Sequence, residues 1–405
     1  MSILPTKLAL HEPERHVVLE APPWNPGTAK SAIQEIVDDA AGRFDADQFW
    51  PPHPMENDRT YCTALYRGAA GVIWAIDYLR RQGAAKCDVE FVPVLPGLLA
   101  ANRAEFATFG EFFSSEQASL LMGDVGVLLL TMRLAPNDEI ADELHRRVTA
   151  NLHLPVMELM WGTPGTMLAA IFMYEMTGQD CWRQIYQQQA ERLLGDLEET
   201  ELGPLWTQDL YGHISRYLGP VHGYAGSMLA LLHGWEWLGT AQRAQIPNAV
   251  LRTLTANAWR SEMGTTWDAT ATRETLPKLV QYCHGAPGMV SVFADPKIAT
   301  AELTAMLVEA GDFTWRAGPL AKGSNLCHGT AGNAYAFLKL YALLREPLWL
   351  ERARTFAMIS IEQYREARAQ YGQGRYSLWT GDLGLAVYLY DCLRAIPAFP
   401  TTDVF

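Results

Sequence analysis

Basic charge is what this 405-residue sequence is short of: 32 Lys and Arg stand against 45 Asp and Glu, a formal net charge of −13. Phosphate binding needs a basic face, so nucleic acid is excluded as a partner. No run of 18 apolar residues occurs, which leaves no candidate for a membrane-spanning helix. The opening MSILPTKLALHEPERHVV lacks a cationic start followed by an unbroken apolar core, so it is read as carrying no export signal. Cysteine is sparse, six in all (Cys62, Cys87, Cys181, Cys283, Cys327 and Cys392). These are expected to be thiols or metal ligands rather than a disulfide framework, and the expected location is cytoplasmic. Strand signals are weak; FVPVLPG (91–97) is punctuated by prolines.

What the chain does have is enough apolar sequence for a large core, with 49% hydrophobic and 19% charged residues. It also has a recurring glycine frame. Gly-x-x-Gly occurs at GAAG (68–71), GDVG (123–126), GTPG (162–165), GYAG (223–226), GAPG (285–288), GTAG (329–332) and GDLG (381–384). The steps between them are 55, 39, 61, 62, 44 and 52 residues. Each is followed by an apolar segment such as VIWAIDYL, VLLLTMRL or NAYAFLKLYALL, apolar nearly all round, as helices buried on several sides are. Between them lie amphipathic stretches such as 182–199 and 349–370, where apolar residues recur at helical spacing among charges.

Inner helix and outer helix therefore alternate seven times, and an all-α closed double ring, an α/α toroid, is the expected fold. An open string of helical repeats competes with it, but needs atypical capping ends and more even spacing. Residues 1–50 are read as an N-terminal extension with the first outer helix, and 51–405 as a single toroidal domain.

Two of the glycine motifs carry an extra signature, QYCHGAPG and NLCHGTAG, in which Cys-His-Gly recurs 44 positions apart (Cys283 and Cys327). With LVQYCHGAPG (279–288) and KGSNLCHGTAGNAYAFL (322–338), the chain resembles the lanthionine synthetase C-like family over nearly its whole length. These strings are more similar to the eukaryotic-type, glutathione-binding branch than to the bacterial peptide cyclases. The resemblance implies a toroid of seven inner and seven outer helices with zinc at one mouth, held by Cys283, Cys327 and His328. A catalytic zinc keeps its fourth position open. His284 as a fourth ligand would close the site, and free buried thiols are the bland alternative.

The chemistry implied is addition of a thiol across the double bond of dehydroalanine or dehydrobutyrine, giving a thioether. A metal-bound thiol loses its proton, and the thiolate is the nucleophile. The enolate that forms needs a proton donor. His222, in GPVHGYAG, stands at the family's catalytic-histidine position. Glu158, in ELMWGTPG, stands where peptide cyclases carry an aspartate; it is expected to orient His222, or else to be a solvated or helix-capping glutamate. His284 replaces the cyclases' tyrosine and is a second candidate acid. Lys322 matches a lysine of the glutathione-binding branch, and Arg375 and Lys278 are further candidate anion contacts. Tyr282 stands in place of the usual tryptophan and Leu279 in place of the cyclases' arginine, which weakens the analogy with a peptide cyclase. The expected partners are glutathione or a cysteine peptide, and a peptide or protein bearing a dehydroamino acid. Three functions remain open: glutathione addition, lanthipeptide cyclisation, and non-catalytic binding of zinc and glutathione. A prenyltransferase ring would usually include an aspartate ligand, and a ring-shaped glycosidase would need two placed carboxylates.

Overall fold

The computed structural model describes residues 9–56, 62–113 and 118–405. The first eight residues, on which the reading of the N-terminus partly rests, lie outside the described residues. Helices run in strict outer–inner alternation: α1 (Pro26–Gly42), α2 (Ala69–Arg81), α3 (Leu95–Ala107), α4 (Asp124–Leu134), α5 (Asp138–Ala150), α6 (Thr163–Thr177) and α7 (Asp180–Gly195). The series continues through α8 (Tyr224–His233), α9 (Thr240–Asn257), α10 (Ala286–Phe293), α11 (Ala301–Ala317), α12 (Thr330–Leu344), α13 (Pro347–Tyr371) and α14 (Asp382–Arg394). Even-numbered helices form the inner wall: α2 packs on α4, α4 on α6, and so on until α14 returns to α2 and closes the ring. The outermost helix in sequence, α1, packs against α14 and α13.

Sequence separates the two shells. In α2 every residue from Ala69 to Leu79 is buried, whereas α5 buries only Leu144 and Val148. Three short antiparallel hairpins are inserted beside the ring: β1 (Glu198–Thr200) with β2 (Gly203–Leu205), β3 (Gln208–Leu210) with β4 (His213–Ser215), and β5 (Trp259–Ser261) with β6 (Gly264–Thr266). Among the described residues no helix is long and apolar enough to cross a membrane.

The two shells also start their helices differently. Outer helices α1, α5 and α11 use side-chain caps, Asn25, Asn137 and Thr300, each accepting from a first-turn amide. Every inner helix is instead capped by the first glycine of its Gly-x-x-Gly motif, from Gly68 for α2 to Gly381 for α14. The preceding loop folds back and supplies backbone carbonyls to the otherwise unpaired first-turn amides. Tyr224 N donates to Tyr217 O at 2.9 Å and Thr330 N to Gly323 O at 2.8 Å.

The second glycine makes this folding back possible. A Cβ on Gly332 would sit 1.6 Å from the Leu326 carbonyl oxygen, a space no side chain can enter. The same position reads out ring closure: a Cβ on Gly126 would meet the Leu65 side chain of the preceding motif, and one on Gly71 would meet Leu378 of the last. Gly285 is required for a further reason. Its φ of 113° lies where L side chains are strained, so the turn between His284 and α10 demands glycine.

Candidate functional site

The loops that precede the inner helices are tied into a belt around one mouth of the ring. The residue two before each first glycine is Tyr66, Leu121, Met160, Val221, Cys283, Cys327 or Trp379. At five of the seven junctions the amide of one such residue donates to the carbonyl of the next. These are Tyr66 to Leu121 (2.9 Å), Met160 to Val221 (3.3 Å), Cys283 to Cys327 (3.2 Å), Cys327 to Trp379 (2.9 Å) and Trp379 to Tyr66 (2.9 Å). Cys283 and Cys327 are therefore neighbours because they occupy one register in adjacent repeats. The next register, immediately before the glycine, carries His222, His284 and His328 in three consecutive repeats. All seven inner helices point their N-termini at this mouth, where partial positive charge favours thiolates and developing anions.

Both thiols are buried, and they face each other. The Cys327 thiol is held well below its ordinary pKa by hydrogen bonds, first from the Cys283 thiol, then from His328 and Tyr66, against the opposing effect of burial. Cys283 is pushed well up by its hydrogen bond to Cys327 and by burial, so the two thiols titrate as one pair. Gln281 Nε2 donates to Cys283 Sγ at 3.0 Å. Burial, aided by the negative charge of the thiol pair, raises the Tyr66 phenol, which therefore stays protonated and able to donate.

Glu158 and His222 bridge two repeats. The Glu158 carboxylate is fully buried and accepts from the Met160 and Trp161 amides, capping its own loop. Its Oε2 also lies 2.8 Å from His222 Nδ1, so the buried carboxylate bonds both its own loop and the histidine of the next repeat. The His222 side chain remains 21% exposed, open to the mouth. Tyr211 and Tyr217 flank its ring at 5.9 and 6.5 Å between centroids, and Trp161 Nε1 donates to Tyr211 Oη at 2.6 Å.

His284 sits between this dyad and the thiols. Burial lowers its pKa, with the Cys327 charge raising it and His222 lowering it further. Its Nδ1 is buried and has no hydrogen-bond partner. Gly219 lets the His222 loop close on this turn; a Cβ there would lie 2.0 Å from the Cys283 carbonyl oxygen.

Lys322 and Arg375 line a separate small cavity of about 30 Å³ on the flank of the sixth and seventh loops, with Asn325, Gln363 and Arg368. Arg375 is ion-paired there to Glu56 through Nε at 2.6 Å, and Asn325 caps the His328 amide at 3.0 Å. Lys322 is exposed. Lys278 lies elsewhere, exposed beside Glu12 at 3.6 Å. Tyr66, Gln281 and Gly219 escaped sequence reasoning. Tyr66 was marked by standing two residues before its glycine, as both cysteines do.

Among the described residues, no three His, Cys, Asp or Glu side chains converge closely enough to hold a metal ion as they stand. The donors meet pairwise, Cys283 with Cys327 and Cys327 with His328. In kind they suit zinc, since two thiols and an imidazole are a donor set that zinc accepts.

Ring and mouth together define an α/α toroid with a buried thiol pair at the N-terminal ends of its inner helices. The family model described as Lanthionine synthetase C-like protein matches residues 63–404. The chain belongs to that family. It is 35% identical to Glutathione S-transferase LANCL1 of Danio rerio over 129 residues, which is 31% of this chain and 32% of the relative. It is 27% identical to LanC-like protein GCL1 of Arabidopsis thaliana over 273 residues, 61% of this chain and 58% of the relative. The matches thus span about a third and somewhat over half of those relatives' lengths. The solved structure of nisin cyclase shares the fold, with a TM-score of 0.54 at 13% identity over 90% of this chain and 98% of that one.

Proposed function

We propose that the protein is a thioether-forming enzyme that adds a thiol, glutathione by preference, to dehydroalanine or dehydrobutyrine residues, with zinc held by Cys283, Cys327 and His328. The observation that carries this reading is the shared register that sets two buried thiols beside each other, with the Glu158–His222 pair at the same mouth. Zinc, when bound, would supply deprotonation of an incoming thiol. Everything else falls to the chain. Glu158 holds His222 by Nδ1, which leaves Nε2 to take the thiol's proton and return it. The sulfur bonds to the β-carbon, the π pair moves to the α-carbon, and the proton from Nε2 completes the thioether. The inner-helix N-termini and the neutral His284 offer positive charge and a hydrogen bond to the transient enolate. Lys322 and Arg375 would receive the carboxylates of the thiol donor.

Support for glutathione comes from the name of the zebrafish relative and from Leu279, which stands where peptide cyclases carry arginine. Incubating zinc-loaded protein with glutathione and a dehydroalanine peptide tests the proposal by the mass gain of one glutathione. Cys327→Ala should lose metal and adduct together, while His222→Ala should keep metal and lose adduct. Zinc-loaded protein that binds glutathione yet forms no adduct would leave a non-catalytic binder, and ring closure only within a cysteine-bearing peptide would leave a cyclase.

A further inference from the structure

Residues 399–405 run through the lumen of the ring and touch its inner wall on nearly every side. Phe405 packs on Trp74 of α2 and Phe172 of α6, and its backbone oxygen accepts from Arg133 of α4. Asp403 accepts from His233 of α8 at 3.0 Å and from Lys339 of α12 at 2.6 Å. Those contacts anchor the segment at the end of the ring away from the thiols.

At the thiol end the segment meets the two residues that set the cysteines. Phe399 stacks on Tyr282, the residue before Cys283, at 4.4 Å and 21°. Thr401 Oγ1 accepts from Trp379 Nε1 at 3.0 Å, and the Trp379 carbonyl accepts from the Cys327 amide at 2.9 Å. Thr401 is fully buried with φ of 62°, a conformation that β-branched residues avoid. Such strain persists only where the surroundings over-determine it.

Resting on the reading of Cys283 and Cys327 as metal ligands, we infer that Phe399 and Thr401 are positioning residues. The luminal segment presses Tyr282 and holds the Trp379 indole, whose own backbone carbonyl carries the Cys327 amide, and so sets the separation of the two sulfurs from beneath. Partners behind a ligand typically govern metal affinity by about 10- to 100-fold.

The full chain, loaded with cobalt(II) as probe, tests this through its thiolate-to-cobalt absorption and through competition with a chelator. Thr401→Val, which keeps the shape and removes the hydroxyl, should weaken cobalt binding by about tenfold or more and shift the band. Thr401→Ser should restore both. Tyr388→Phe, which loses a buried hydrogen bond to the Ala353 carbonyl away from the mouth, should lower the melting temperature but leave the band and affinity unchanged. Should Thr401→Val fail to fold, Phe399→Leu carries the same expectation. A wild-type band that none of these variants moves, or one that Tyr388→Phe weakens equally, overturns the positioning role alone. Absence of any thiolate band in the wild type overturns the thiol-centre reading and this inference with it.

Discussion

Replacing Gly332 by alanine is the sharpest test of the belt. The added Cβ would lie 1.6 Å from the Leu326 carbonyl oxygen and 2.5 Å from its carbon, against a floor of 3.0 Å for real Cβ contacts. Leu326 or α12 must then move by about 1.4 Å to reach that floor. Neither can move alone, because the Leu326 and Cys327 amides both donate to the Trp379 carbonyl. Overpacking of this kind costs typically 1–3 kcal/mol. Backbone against backbone leaves no rotamer to absorb it, so we expect about 3 kcal/mol, even after the gain of up to about 1 kcal/mol that alanine brings to a helix interior. A misplacement of about 1 Å in the reacting geometry, even when caused by a distant mutation, can also cost about a hundredfold in rate. Gly97→Ala is the matched control: it lies within α3, nothing comes within 4 Å of its Cβ, and it should stabilise by about 0.5–1 kcal/mol. Denaturant unfolding and the glutathione adduct assay read both variants. If Gly332→Ala unfolds at the wild-type midpoint and forms adduct at the wild-type rate, the close-approach reasoning is wrong.

Three further outcomes are expected. Glu158→Gln should lower the adduct rate by about a hundredfold, read by single-turnover mass spectrometry, while metal content stays intact. Lys322→Ala, an exposed site, should raise the KM for glutathione about threefold, the worth of a contact in the surface ion-pair range, without changing kcat. Asp403 gives the pH dependence. Burial alone would raise its pKa, but Lys339 and His233 hold it below the carboxylate range. A carboxylate depressed on folding adds stability above its unfolded pKa of about 4, and that stability is lost as pH falls below it. Asp403→Asn should therefore cost about 3 kcal/mol at pH 7 and flatten the acid limb of a melting-temperature profile below about pH 4.

The ring was legible because its two shells differ in composition and because close backbone approach admits only glycine. Both are local facts that a sequence displays. The cysteine pair was legible only as a repeated string. Its adjacency comes from amide-to-carbonyl bonds that any residue type can make, so the belt leaves no mark of its own. Tyr66 shows the gap, since its hydroxyl reaches Cys327 while its own loop carries no Cys-His string. Glu158 was undecidable for a different reason, because one buried carboxylate bonds two loop amides and His222 at once. The hairpins, three residues to a strand, are too short to show alternation. Residues 399–405, PTTDV between two phenylalanines, have no period at all, and what they fill is set by the ring rather than by themselves.

The register also explains how one frame can carry chemistry on part of its circumference. Each repeat offers the same two slots before its glycine, and the backbone belt is indifferent to what fills them. Histidine occupies the second slot in three consecutive repeats, and cysteine the first slot in two of those. The repeats before them place Met122 and Trp161 in the second slot, the latter walled by Phe113 at 4.3 Å and bonded to Tyr211. The mouth is thus polar and ionisable on one arc and aromatic on the next, with His222 at the seam. A reacting alkene held at that seam would have the thiol pair on one side and an apolar wall on the other. Excluding water there would strengthen every charge–dipole contact that a thiolate and an enolate of the proposed addition make. His222 is held at the border by a carboxylate from the aromatic arc, and its loop closes at Gly219 on the Cys283–His284 turn.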